Sequence, residues 1–282
     1  MQSVLDILGK TTGYFEKVGV PQAKLDAEYL LAHVLGCKRL GLYLQFERPL
    51  TDAELDVLRP LVRRRARREP LQHILGTVDF HGLILRCDGR ALVPRPETEW
   101  LVERVIERLK DRPPAWIADL GTGTGALALA LATAFPEAAV DAVDRSAEAL
   151  ALARENAAAL GLAERVAFHE GDWFVPLAGR RYDCIVANPP YLSEADWDAA
   201  EPEVANFDPK EALVAPENGT ADLVRILREA PAHLKPGGLL ALETNVAQHA
   251  ALAEHTSAPP YASAERENDY AKRERYLFLA GA

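Results

Sequence analysis

The chain has 282 residues, 49% of them apolar and 26% charged, ordinary values for a globular protein long enough to build two cored domains. The formal net charge of −10 is unevenly divided: residues 1–75 carry 12 Lys and Arg against 9 Asp and Glu, and residues 76–282 carry 20 against 33. So acidic a larger part repels a phosphate backbone and argues against free DNA as substrate, while no apolar run reaches the length of a bilayer span.

Residues 1–75 read as a small helical domain. Val4, Ile7, Leu8, Thr11, Phe15 and Val18 recur at three- and four-residue steps, the single apolar stripe of a helix. Pro21 suits a first-turn position, and Leu25, Tyr29, Leu30 and Val34 carry a second helix as far as Gly36. Thr51-x-x-Glu54 is a capping box for a third, with Leu55, Leu58, Leu61 and Val62 turned inward. That helix ends in Arg63-Arg64-Arg65-Ala66-Arg67-Arg68 before Pro70. Five arginines there suggest a solvated end that complements the helix dipole; the other reading is a docking patch for a protein or ribonucleoprotein. Residues 76–92 read as a linker holding a β-hairpin, 77–80 and 83–87 around His81-Gly82.

From residue 93 to 282 the pattern changes. Pro94 and Pro96 stiffen the entry to a helix over roughly 97–110 and present Arg95, Glu97 and Thr98 at a fixed angle, as a capped helix start or as a lid. Strands at 116–120, 140–143, 165–169, 183–187 and 239–243 alternate with helices at 126–134, 147–160 and 222–234, which predicts an α/β, doubly wound sheet. Lys235-Pro236-Gly237-Gly238 reads as a turn, and 192–216, long, acidic and aperiodic, as the wall of a substrate channel. Residues 261–265 and 275–279 fit a closing antiparallel pair. Cys37, Cys87 and Cys184 lie far apart and suit neither disulfides nor zinc. No His-Glu-x-x-His or Gly-x-Ser-x-Gly occurs, so no metal is expected. Met1-Gln2-Ser3 lacks the start of a secretion signal, and a reducing cytoplasm is the expected compartment.

Two stretches carry chemistry. Gly121-Thr122-Gly123-Thr124-Gly125 joins a strand to an Ala/Leu-rich helix, where glycines admit a ligand close to the backbone and a helix N-terminus offers unpaired N–H groups. Asp144, 23 residues after Gly121, ends the next strand, where an acid can accept both ribose hydroxyls of a nucleoside. Gly121-x-Gly123-x-x-Ala126 also satisfies the dinucleotide fingerprint, so this stretch leaves NAD and S-adenosylmethionine open. Asp172 can accept from an adenine amino group while Trp173 covers the ring. The second stretch is Asn188-Pro189-Pro190-Tyr191, directly after an apolar strand. An amide, two carbonyls stiffened by proline and an aromatic face make a rigid rim of acceptors, suited to gripping a planar –NH2 group by its two hydrogens. A dehydrogenase has no use for such acceptors; an amino-methyl transferase does.

Together, Gly121 to Gly125, Asp144, Asp172-Trp173 and Asn188 to Tyr191 resemble a class I S-adenosylmethionine-dependent methyltransferase. Within that class, Pro70-Leu71-Gln72-His73-Ile74-Leu75-Gly76, Phe80-His81-Gly82 and Val93-Pro94-Arg95-Pro96-Glu97-Thr98-Glu99 resemble the release-factor glutamine methyltransferase family. The resemblance implies a mostly parallel seven-stranded methyltransferase sheet preceded by a helical substrate-docking domain. It implies S-adenosylmethionine as donor and S-adenosylhomocysteine as product, held by Gly121, Thr122, Gly123, Thr124, Gly125, Asp144, Asp172, Trp173 and Asn188. Catalysis and substrate binding would fall to Asn188, Pro189, Pro190 and Tyr191. The substrate would be the glutamine of the Gly-Gly-Gln loop of class I peptide-chain release factors. A cytoplasmic monomer with no membrane or direct nucleic-acid contact is expected. The alternative is a glutamine methyltransferase for a ribosomal protein, which would share Asn-Pro-Pro-Tyr but not, as a rule, residues 95–99. Past Glu243 the likeness is loose.

Overall fold

The computed structural model describes residues 2–256 and 259–282. The chain forms two units: one runs to Gly76 and takes in Glu201–Phe207, the other comprises Thr77–Ala200 and Asp208–Ala282. The hairpin expected as a linker therefore belongs to the second unit, and part of the expected channel wall to the first.

In the first unit, α1 (Val4–Lys17) opens on a capping box between Ser3 and Asp6 and buries Val4, Ile7, Leu8 and Phe15. Val18, expected to extend the stripe, is the C-cap and stays exposed. Pro21 stands outside α2 (Ala23–Val34), whose N-cap is Gln22. A 3-10 helix (Arg39–Leu44) sends Leu42 into the core, and α3 (Asp52–Ala66) opens on the Thr51–Glu54 box. The short α4 (Leu71–Leu75) stops at left-handed Gly76.

The arginine run at the end of α3 is not a uniformly solvated face. Leu58, Leu61, Val62 and Arg65 share one helical stripe, so the period that buries Leu58 also turns Arg65 inward, to 5% exposure. There its Nε donates to Asp26 at 2.6 Å and its Nη2 to Glu203 at 2.7 Å. Burial pushes the Asp26 carboxyl above its usual range. Arg64 forks onto Glu69, and Arg68 donates to Glu203 and Glu201. Three of the five arginines are thus spent inside the unit; Arg63 and Arg67 are exposed.

The second unit begins with hairpin β1 (Thr77–Phe80) and β2 (Leu83–Arg86), followed by α5 (Pro96–Leu109). Then come β3 (Trp116–Leu120), α6 (Ala126–Ala134), β4 (Ala139–Asp144), α7 (Ala147–Ala159), β5 (Val166–Glu170) and β6 (Tyr182–Ala187). Short turns α8 (Glu194–Asp198) and α10 (Pro216–Gly219), with α9 (Pro202–Phe207) between them in sequence but in the first unit, break up the stretch read as aperiodic, before α11 (Ala221–His233) and β7 (Leu234–Glu243). A last turn, α12 (His249–Leu252), precedes β8 (Tyr261–Asn268) and β9 (Glu274–Gly281).

The sheet has seven strands in the order β5-β4-β3-β6-β7-β9-β8: β5, β4, β3, β6 and β7 pair in parallel, and β9 is antiparallel to both its neighbours, β7 and β8. Both faces are covered. Cys184 and Val186 pack with α5 and α6, while Ile185 and Ala187 pack with α11, so β6 is apolar along its length. The Lys235–Gly238 turn expected from sequence is instead carried within β7: the pairing to β6 skips between Tyr182 and Cys184, and that irregularity absorbs the proline and glycines.

Candidate active site

Every singled-out site residue follows the carboxyl end of a parallel strand: the glycine loop after β3, Asp144 ending β4, Asp172-Trp173 after β5 and Asn188 after β6. Strand order reverses between β3 and β6, which places the crevice of such a sheet at this edge. A cavity of about 440 Å³ lies there, within the range of small-ligand sites. Gly121, Gly123, Asp144, Asp172, Trp173, Asn188 and Pro190 line it, together with Ala91, Leu92, Pro209, Glu211 and Ala212.

The glycine loop divides into a lining half and a supporting half. Gly121 has φ 73° and lies under the Trp173 ring, where an added Cβ would come within 3.4 Å of the indole. Trp173 itself takes a left-handed backbone, φ 48°, and its Nε1 donates to Asp222. Thr122, Thr124 and Gly125 are buried and do not line the cavity. The Thr122 hydroxyl donates to Asp119 at 2.6 Å, and the Thr124 carbonyl accepts from Asn156. Gly125 starts α6 with φ 85°, packed against Leu129 and Ala153. These three shape the loop.

Asp144 accepts from the Gly123 N–H and from the Ser146 N–H, each at 2.9 Å. Its carboxylate is held rigidly, with lone pairs left for a diol. Asp172 lines the cavity but is exposed and paired to Arg225, so an adenine amino group would share it with a guanidinium. Asp119 escaped the sequence reading, although an acid inside an apolar strand directly before the glycine loop was its signal. It is fully buried; one oxygen holds Thr122 and the Ala128 N–H, the other takes no hydrogen bond, and burial pushes the carboxyl up to about 7.

At the rim, the Asn188 Nδ2 donates to the Thr98 hydroxyl at 3.1 Å, and its Oδ1 takes no hydrogen bond among the described residues. Pro189 and Pro190 are buried, and neither carbonyl accepts from a described residue. Tyr191, expected as a plate beside the amide, is not a lining residue. Its hydroxyl donates to Glu243 at 3.1 Å and its backbone carbonyl accepts from Gln248. None of Val93–Glu99 lines the cavity: Arg95 pairs with Asp208, and Thr98, on the first turn of α5, donates to Glu243 at the end of β7 and accepts from Asn188.

Residues 6–76 match the family described as PrmC N-terminal domain, and residues 115–277 match a methyltransferase domain family. A release factor glutamine methyltransferase of Deinococcus radiodurans is 44% identical over 273 residues, covering 96% of each chain. One of Geobacter sulfurreducens is 42% identical over 246 residues, 87% of this chain and 85% of that one. The chain belongs to the release factor glutamine methyltransferase family. One of Salmonella typhimurium, 42% identical over 250 residues, covers 89% of both chains.

Among solved structures, the fold of this family member matches the hMettl16 catalytic domain with TM-score 0.58 at 16% identity, over 79% of this chain and 81% of that one. It also matches a Thermus thermophilus 16S rRNA N2 G1207 methyltransferase with TM-score 0.53 at 21% identity, over 73% and 50%. At these identities the likeness is one of fold.

Proposed function

We infer that the chain transfers a methyl group from S-adenosylmethionine to the side-chain amide nitrogen, N5, of the glutamine in the Gly-Gly-Gln loop of class I release factors. One observation carries the assignment of roles: the NH2 of Asn188 is occupied inside the protein while its Oδ1 is left open beside the cavity.

The cavity suits the donor. The carboxylate fixed at Asp144 would accept from the ribose diol, the Trp173 ring offers a flat apolar wall, and the bare Gly121 leaves room against it. Bound there, S-adenosylmethionine supplies an electrophilic methyl on a sulfonium and is released as S-adenosylhomocysteine. The protein's task is the acceptor. A primary amide nitrogen is a poor nucleophile, because its lone pair is delocalised, and it is too weak an acid for a general base to help. Asn188 Oδ1 and the Pro189 carbonyl would accept its two hydrogens and draw it toward tetrahedral geometry, lone pair facing the methyl. Positioning of this kind lowers a barrier by roughly 7–11 kcal/mol, and acceptors aimed at the growing positive charge add to it. The new N–C bond forms as the S–C bond breaks, and the surplus proton passes to solvent. No carboxylate is needed as base; Glu243 is separated from the Asn188 amide by the Thr98 hydroxyl.

The proposal treats residues 1–75 as the docking domain for the release factor, supported by the exposed Leu40 and Leu44 on its 3-10 helix. The enzyme would act as a cytoplasmic monomer, and the acidic balance of residues 76–282 disfavours direct nucleic-acid contact. Labelled donor incubated with a purified class I release factor, then digested, should place the methyl on the Gly-Gly-Gln glutamine. Label on a ribosomal protein or on nucleic acid instead would overturn the substrate assignment.

A further inference from the structure

We propose that Thr98 and Glu243 are positioning residues that fix which end of the Asn188 side-chain amide faces the substrate; the proposal rests on the rim reading given above. The two ends of an asparagine amide are nearly equal in shape and opposite in bonding. Turned the wrong way, Asn188 would present N–H groups to the –NH2 it must hold. Asn188 alone cannot choose.

The choice is made by a chain of hydrogen bonds with one direction. Thr98 has a single hydroxyl proton, and it is donated to Glu243 Oε2 at 2.8 Å. Toward Asn188, 3.1 Å away, Thr98 then offers only lone pairs, so the NH2 end must face it and Oδ1 must face outward. The other carboxylate oxygen, Oε1, accepts from the Tyr191 hydroxyl at 3.1 Å. That hydroxyl oxygen in turn accepts from Arg275 at 3.3 Å, which commits its proton to Glu243. Glu243 is 1% exposed, and burial pushes its carboxyl up; the two hydroxyl donors and the Arg275 guanidinium 3.8 Å away act against that, and all three favour an accepting carboxylate. The anchor is rigid as well. Pro96 opens α5, and the Glu97 carbonyl accepts from the Tyr276 hydroxyl at 2.7 Å, so the turn bearing Thr98 is tied to β9. This arrangement gives the Pro94–Glu99 stretch a physical task that neither a capped helix start nor a lid would.

The test uses the full chain with a purified release factor and measures kcat, KM for the release factor and donor affinity separately. Thr98→Val keeps the shape and removes the hydroxyl. It should lower kcat by about tenfold to a hundredfold, with KM and donor Kd changed less than about threefold. Thr98→Ser restores the hydroxyl and should recover kcat to within about threefold of the native value. Glu243→Gln, which replaces one acceptor by a donor, should show the same kcat loss and covers the case in which Thr98→Val does not fold. A Thr98→Val enzyme with native kcat, or a Thr98→Ser enzyme as slow as Thr98→Val, would overturn the proposal, the latter by showing that packing alone is at stake. Asn188→Ala separates the two levels. If it is inactive while Thr98→Val and Glu243→Gln are native in rate, only the positioning role falls; if it is itself native in rate, the rim reading falls and takes this proposal with it.

Discussion

In the first unit a buried Arg65 lies between Asp26 and Glu203, and each charge is answered within the cluster. In the second, a buried Glu243 answers Thr98 and Tyr191, but the chain of bonds runs on to Asn188 and ends there on an open Oδ1 at a cavity wall. The two networks use the same kinds of groups at similar depth. A network that closes on itself fixes packing; one that ends on an unanswered acceptor at a cavity wall leaves that acceptor available to a ligand. Charge-rich sequence therefore misleads where the fold consumes the charge, as it does in the arginine run.

That contrast can be broken by measurement. Arg65→Ala leaves Asp26 buried without its partner and should cost about 3–5 kcal/mol of stability in urea unfolding. Donor affinity measured on the folded fraction should not change. A stable Arg65→Ala protein would show that the cluster does not hold the first unit together.

Asp119 is an intermediate case, a buried carboxylate with one oxygen bonded and the other bare. Its folded pKa, pushed up to about 7, lies above the ordinary 3.8, so between those values the folded chain holds a proton that the unfolded chain has released. Its contribution is then full below about pH 4, declines as pH rises and is flat above about pH 7. Relative to Asp119→Asn, the native protein should lose of order 2 kcal/mol between pH 5 and pH 8, read from urea midpoints. Parallel pH profiles for the two proteins would refute the assignment. The smallest effect is expected at exposed Arg63, where Arg63→Ala should change stability by less than about 0.5 kcal/mol. A larger cost would mean that the run acts as one unit rather than through its inward members.

Much of the sheet was legible because parallel strands read as apolar runs and their ends are marked by Gly121, Asp144, Gly171 and Asn188. The closing antiparallel pair was legible in the tail as two short stretches, but β8 is mostly exposed and polar, and it runs three residues past the expected 261–265. Arg65 was not legible, since five arginines in six positions hide a helical period that the neighbouring leucines display. The Lys235–Gly238 stretch has turn composition, yet the edge of a paired strand absorbs it as an irregularity. Thr98 and Glu243 stand 145 residues apart, and no local pattern joins them; only the fold brings α5 to the end of β7. Tyr191 was read by its ring, while the structure uses its hydroxyl.

The account turns on Asn188. The direct test is single-turnover methyl transfer by Asn188→Ala at saturating donor and release factor, with donor affinity measured alongside. The account predicts a rate lower by about a hundredfold to a thousandfold, with donor binding nearly unchanged because the glycine loop is intact. A rate within about threefold of native would contradict it.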